Sequence, residues 1–362
     1  MRLALRPTAI ALCALGLLPW ALHGLERPEP ASSFAAQIER FSEPEGTFDT
    51  DNLVSNEKSY LDVIGALVSG GVTGGAYIGV GPDQNFSYIA RIRPTVAFII
   101  DVRRDNLLLH LLFKALFARA SNRAEYLSLL TGRPVPEGRE TWKAASLEKI
   151  LVYVEGVEAT PGAVRTLRHK VDETIAGFGV PLSSADFETI DRFHRAFIDA
   201  GLALRFRTRG QPPRSYYPTF RELLLATDAG GRLRNYLASE EDFQFVRSLE
   251  ARDRLIPVVG NVNGPHALGA IAAAIAERRE RVSAFYISNV ENYLFRDGTF
   301  PRFTDNLGRL PRDARSVMIR SIFGGSFSVS VVQSMDEMLA DASSGKYRNY
   351  PDLVNFTRPW RQ

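Results

Sequence analysis

Residues 76–101 restrict the possible folds of this chain more than any other stretch. Ala76-Tyr77-Ile78-Gly79 is an apolar run too short for a helix, and it enters the turn-forming Val80-Gly81-Pro82-Asp83-Gln84. Asn85 can cap a helix carrying Phe86, Ile89 and Ala90, which Pro94 must end because the residue before a proline is pushed out of helical geometry. A second apolar run, Val96-Ala97-Phe98-Ile99-Ile100, follows at once and ends in Asp101. Strand, turn, helix and strand in so few residues make a βαβ unit with parallel strands and a right-handed connection. A parallel pair is buried on both faces, so the rest of the chain must supply further strands and covering helices. The expected fold class is therefore α/β, with a doubly wound, mostly parallel sheet.

The remaining sequence can meet that demand. Its 362 residues, 45% hydrophobic and 23% charged, are enough for one large domain with an insertion or for two domains. Tyr60, Leu61, Ile64, Leu67 and Val68 stand at helical spacing over 56–68, with Ser55 as a cap and Gly70-Gly71 as a stop. Residues 106–253 read as mostly helical: 107–120 is apolar almost all round, as a buried helix would be, and 142–154, 184–200 and 236–249 follow it. Strand patterns resume at Leu255-Ile256-Pro257-Val258-Val259, at 283–288, at 316–323 and at 327–332, with an alanine-rich helix over 266–279. The expected organisation is a leader over 1–24, a polar lead-in over 25–54 and a first half-domain over 55–117. A helical insertion over 118–253, a second half-domain over 254–345 and a tail over 346–362 complete it.

The leader is expected from Arg2 and Arg6 followed by the apolar run 8–22, Gly24 and a proline-rich segment. It is a signal peptide or membrane anchor, so the chain is expected to be exported, periplasmic or membrane-associated, with a cytoplasmic location as the alternative. Removing Arg2 and Arg6 with the leader takes the formal charge from +3 to +1. So small a charge does not supply the concentrated basic surface that nucleic acid requires, and none is expected as a partner. Cys13, the only cysteine, lies in the leader, which removes disulfides, cysteine nucleophiles and cysteine-based zinc sites from the mature chain.

A nucleotide needs backbone amides at a helix start and glycine where a side chain would block the approach; Gly79 and Gly81 meet that need. About twenty residues on, an acid at the next strand's tip can accept from both ribose hydroxyls, and Asp101 stands there. The same residues also fit a plain tight turn and a solvated strand end. Gln84 replaces the third glycine of the dinucleotide fingerprint, which counts against NAD, while Arg103 and Arg104 keep open NADP, whose ribose phosphate an arginine can take.

With these residues in place the chain resembles the Rossmann-like S-adenosylmethionine-dependent methyltransferases over about 56–332, interrupted by the insertion. The resemblance implies that Gly79 and Gly81 face the methionine and ribose and that Asp101 binds the ribose hydroxyls. It also implies that Gly260-Asn261 lies beside the adenine and that Ser288-Asn289-Val290-Glu291-Asn292-Tyr293 closes over the methyl group. More narrowly, 52–60, 77–85 and 286–294 look like an uncharacterised bacterial family that shares this fold. Asn261 stands where an acid often holds the adenine amino group, and no Asn-Pro-Pro-Tyr run follows the fourth strand, which speaks against amine or base methylation.

Asp83 belongs to the expected ligand crevice at the strands' carboxyl ends, where Glu57, Glu291 and Tyr293 are the candidates for catalysis. Each also fits a solvated or helix-start residue. The scattered histidines lack H-E-x-x-H spacing, so no metal is expected, and Gly324-Gly325-Ser326-Phe327-Ser328 does not place serine as a nucleophile elbow does. The expected function is a methyltransferase-like protein that binds S-adenosylmethionine or a related nucleoside. The alternative is an exported envelope protein that uses the same fold for ligand or partner binding without catalysis.

Overall fold

The computed structural model describes residues 33–324 and 327–357, and the expected leader lies outside them. Six strands form one sheet in the order β3-β2-β1-β4-β5-β6. They are β1 (Ala76–Gly79), β2 (Val96–Asp101), β3 (Leu255–Val259), β4 (Val282–Ser288), β5 (Val317–Gly324) and β6 (Phe327–Ser334). The first five run parallel, and β6 returns antiparallel along β5 from Gly324↔Phe327 to Val317↔Ser334. All four residues of β1 and all five of β3 are buried, as expected of strands covered on both faces. The fold is therefore mixed α/β with a mostly parallel sheet.

The chain leaves β1 through helix Gln84–Ile92 to reach β2 on one side, and leaves β4 through helices Val290–Arg296 and Phe300–Gly308 to reach β5 on the other. Between β1 and β4 the direction of winding reverses, and such a reversal opens a crevice beyond the carboxyl ends of the strands.

Between β2 and β3 the regular elements are all helical, joined by turns, irregular segments and isolated bridges such as Arg205↔Thr219. Helix Arg104–Arg119 is buried from Asn106 to Phe117, because it packs on β2 and β3 while helices Pro161–Ala176, Ser184–Ala200 and Glu240–Ala251 enclose it. Aromatic rings fill this joint: Phe86 meets Phe113, Phe117 and Tyr236 edge to face at 5.2–5.7 Å. The described residues form one compact unit, and no helix among them is long and apolar enough to cross a membrane.

Some expected elements differ. The helix over 56–68 is reduced to Ile64–Ser69, since the Ser55 hydroxyl accepts from Glu57 N at 3.1 Å and the chain runs in turns until Ile64. Those turns carry Glu57, Ser59 and Tyr60 inward, where a regular helix would have exposed part of them. The stretch 142–154 is divided into Arg139–Lys143 and Leu147–Gly156, the second restarting at Ser146, whose hydroxyl accepts from Lys149 N. The lead-in carries helix Phe34–Phe41, with Phe41 edge-on to Phe98 of β2 at 5.2 Å.

Candidate functional site

The crevice at the switch point is a cavity of about 270 Å³. Its floor comes from the ends of the strands: Val80 and Gly81 after β1, Ile100 and Asp101 of β2, Gly260 and Asn261 after β3, and Ser288 of β4. Its roof comes from the lead-in, through Thr47, Phe48 and Asn52. That segment is tied down by backbone bonds from Glu43 N to Val259 O (2.9 Å) and Gly46 N to Val102 O (2.8 Å). The Glu43 carboxylate accepts from the amides of Asn261 (2.7 Å) and His266 (3.1 Å), so the lead-in also closes the start of helix Ala267–Glu277.

Among the residues singled out from the sequence, Gly81, Asp101, Asn261, Ser288, Asn289, Glu57 and Tyr293 all line this cavity. Gly79, Asp83 and Glu291 do not. Gly79 is glycine for packing: a Cβ there would lie 1.9 Å from Asn85 Oδ1 and 2.8 Å from the Tyr77 ring. Asn85 is accordingly no cap. Its Nδ2 donates to Val80 O and Pro82 O and its Oδ1 accepts from Tyr77 OH at 2.8 Å, so the amide shapes the turn from within. The N-cap of that helix is Asp83, whose carboxylate points away from the cavity and accepts from Tyr236 OH at 3.2 Å. Burial raises Asp83 from its ordinary 3.8 to about 7, a shift that the Tyr236 bond only moderates.

Glu291 is buried in an ion pair with Arg320: Nε donates to Oε2 at 2.7 Å and Nη2 to Oε1 at 3.1 Å, and both side chains are 1% exposed. The same guanidinium donates to Gln333 and Thr357, so Glu291 joins helix Val290–Arg296 to β5, β6 and the C-terminal segment. It does not line the crevice.

Asp101 is in the crevice but already engaged. Arg103 grips it with Nε to Oδ1 (2.9 Å), Nη2 to Oδ2 (2.7 Å) and its own backbone amide to Oδ1 (3.0 Å). Arg103 in turn donates through Nη1 to Thr50 O at 2.8 Å. Burial works against its charge, but Asp101, with smaller help from Asp105 and Asp51, more than offsets this and holds the guanidinium above its usual range. Arg104 leads away from the crevice and binds Asp186 of the insertion at 2.9 Å and 3.1 Å. Neither arginine is left to receive a ribose phosphate.

Gly81 needs its lack of a side chain, with φ at +84°. Its carbonyl accepts from His110 Nε2 at 3.0 Å, and burial lowers His110 to about 4, so it is a neutral, hydrogen-bonded core histidine. Two other wall residues hold left-handed backbone without being glycine: Asn52 at φ +48° and Ser288 at φ +53°. The remaining non-glycine cases, Arg93, Asp253 and Arg279, lie at helix ends, where that conformation is routine. Strain held in the middle of a cavity wall marks a place where side-chain direction matters more than backbone comfort. At Ser288 it coincides with the register shift between β4 and β5, and it turns the hydroxyl onto Glu57.

Glu57 is the most buried ionisable group lining the cavity. It is 1% exposed and accepts from Tyr286 OH at 2.7 Å and from the Ser288 and Ser321 hydroxyls. Burial raises its pKa, and the three hydroxyls only partly offset that. Gln84 Nε2 donates to Tyr286 OH at 3.1 Å, which leaves the Gln84 Oε1 without a partner. At the mouth, Phe48 stands edge-on to Tyr293 at 5.0 Å, with the Arg296 guanidinium on the other ring at 5.0 Å.

Sequence reasoning did not find Phe48, Asn52, Arg103 as the partner of Asp101, or Tyr286 and Ser321 as partners of Glu57. The first two lie in a lead-in without any periodic pattern. The Arg103 grip on Asp101 is a matter of side-chain geometry at the tip of β2, and Tyr286 and Ser321 reveal themselves only once β4 is known to lie beside β1 and β5 beside β4. No cluster of metal-ligating side chains occurs among the described residues.

A family model described as a domain of unknown function, DUF7790, matches residues 52–149 and 214–350. The matched parts hold the whole sheet and almost all of the crevice, and they leave out 150–213 in the insertion. No curated protein matches the chain.

Proposed function

The chain belongs to the DUF7790 family, a membership that brings no reaction with it, and on that premise we propose that it is a methyltransferase-like protein whose crevice binds S-adenosylmethionine or a related nucleoside. One observation carries this: Gly81, Asp101, Asn261, Ser288 and Asn289, drawn from four different strand ends, converge on one cavity at the switch point. The strand order β3-β2-β1-β4-β5 is that of the doubly wound nucleotide-binding sheets, which supports a Rossmann-like fold of the methyltransferase type. Asp101 keeps one lone pair on Oδ2 beyond those taken by Arg103, enough for a ribose hydroxyl. The Phe48–Tyr293 pair offers an aromatic edge to a planar base.

A diphosphate-bridged dinucleotide finds less. Phe86 N at the start of helix Gln84–Ile92 is bonded to Asp83 O at 2.9 Å, the N-cap there is an acid, and both nearby arginines are paired. Methyl transfer in such a site would rest on bringing donor and acceptor into line, which needs proximity more than strong base chemistry.

Calorimetry against S-adenosylhomocysteine, NADPH and NADH tests this. Saturable heat is expected with S-adenosylhomocysteine, and Asp101→Asn, which keeps the shape beside Arg103, should weaken binding about ten-fold, as the loss of a charge-assisted bond of roughly 1.5–3 kcal/mol requires. No heat with any nucleoside would exclude the nucleoside site.

One observation favours the second reading, an envelope protein that binds a ligand or partner without turnover: Arg103 already neutralises the acid that would hold the ribose. Fractionation of cells carrying the tagged protein separates the two. An exported protein is cut off from cytoplasmic S-adenosylmethionine, and ordinary methyl transfer would fall with that result.

A further inference from the structure

The inner end of the crevice lies on the opposite side of β1 from Asp101 and Asn261, among the ends of β4 and β5. Two acceptors there lack what they need. Glu57 Oε2 accepts from Tyr286 and Ser321, but Oε1 accepts only from Ser288. No described ion pair includes Glu57, although Glu250, Glu291 and Asp101, also largely buried, each face a cation. Gln84, only 7% exposed and lining the same cavity, has an Oε1 with no hydrogen-bond partner. These two acceptors are joined by the Tyr286 hydroxyl, which accepts from Gln84 at 3.1 Å and donates to Glu57 at 2.7 Å. A buried acid held by neutral hydroxyls beside an unfilled amide oxygen calls for a cation that can also donate N–H bonds.

We propose that the inner end of the crevice is a binding site for a ligand's alkylammonium group, which donates to Glu57 and Gln84. This deepens the nucleoside assignment and rests on it only for the identity of the other half of the ligand. The ammonium belongs either to an amino-acid tail on the nucleoside or to a separate amine substrate.

The groups that face Glu57 make the cation the missing component. Besides Tyr286 they are Tyr77 on β1, Tyr88 on helix Gln84–Ile92 and Tyr350 on helix Tyr350–Phe356, all neutral and all pushed up by burial. The charged groups of the outer cavity are spent on each other, Arg103 with Asp101 and Arg296 with Asp297. Without a cation, burial makes Glu57 hold its proton more tightly than a free carboxyl does. When the ammonium enters, the carboxyl O–H bond breaks, the proton passes to solvent and the carboxylate faces the cation.

Calorimetry on the full chain tests this with three probes: S-adenosylhomocysteine, 5′-methylthioadenosine, which lacks the amino-acid tail, and putrescine. Runs in two buffers of different ionisation heat count the protons released. If the tail is the source, wild type should bind S-adenosylhomocysteine about ten-fold or more tighter than methylthioadenosine. If a separate amine is the source, putrescine should bind. In either case proton release on binding should grow as the pH is lowered into the range where free Glu57 is protonated, and Glu57→Gln should abolish both the preference and the release. The wild-type arms stand alone if that variant is unstable. Putrescine binding that depends on Glu57, without nucleoside binding, would sink the nucleoside assignment and uphold the amine site. Equal affinity for the two nucleosides together with no putrescine binding, or amine binding that Glu57→Gln leaves unchanged, would overturn the amine site.

Discussion

Gly79 and Asn85 compete for the same space, and the protein resolves the conflict by giving the strand residue no side chain. Gly79→Ala would drive a methyl group into the amide that holds the turn, and should cost about 1–3 kcal/mol, read as a lower urea midpoint with an unchanged denaturant slope. Gly65, in helix Ile64–Ser69, is the contrasting case, because nothing lies within 4 Å of its missing Cβ. Gly65→Ala should raise stability by about 0.4–1 kcal/mol, mainly by restricting the unfolded chain. If the two variants shifted the midpoint alike, steric exclusion at the β1 turn would not be what keeps Gly79. From sequence the two glycines look equally permissive, and only the position of Asn85 tells them apart.

Helix Val290–Arg296 is held against the sheet by Glu291 and Arg320, and this element shows where a sequence-derived role gave way to a structural one. A carboxylate just after β4 has the right chain position for chemistry, but its direction depends on β5, whose register no spacing in the chain encodes. Glu291→Gln would strand a fully buried guanidinium and should cost about 3–5 kcal/mol in thermal or chemical unfolding. Ligand affinity of the surviving folded protein should stay close to wild type, and a selective loss of affinity would return Glu291 to the site. The βαβ unit of 76–101 was legible because local period and turn chemistry both specify it. The sheet resuming at Leu255 was legible for the same reason. The turns at 57–63 were not, since Tyr60, Leu61 and Ile64 satisfy helical spacing while burial of Glu57 and Ser59 decides their conformation. Asp101 could be placed at a strand tip, but its capture by Arg103 depends on side-chain geometry two residues away.

Across the whole molecule, buried titratable groups set opposing dependences on pH. Burial holds Asp83 and Glu250 at about 7, and an acid that binds its proton more tightly folded than unfolded loses stability as the pH climbs from about 4 through 7. Burial holds His110 and His194 at about 4, and there the unfolded chain binds the extra proton, so stability rises from about pH 4 to 6.5. Above about pH 6.5 the contribution of His110 and His194 is complete while Asp83 and Glu250 are still losing theirs, so the wild-type melting temperature should fall towards pH 8. Asp83→Asn should fall less, its advantage over wild type widening between about pH 5 and pH 8; a constant gap would show that Asp83 does not titrate as its burial requires. The sheet has a further consequence in time. Asp101 pairs with Val259, and Gly79 with Tyr286, so every wall of the crevice is made by segments that emerge from the ribosome far apart. Until β4 has been synthesised, β1 lacks one neighbour and the pocket has no inner end. A nascent or truncated chain that stops inside the insertion must therefore expose the apolar edges of β1 and β2, and would fall to chaperones before it could hold any ligand.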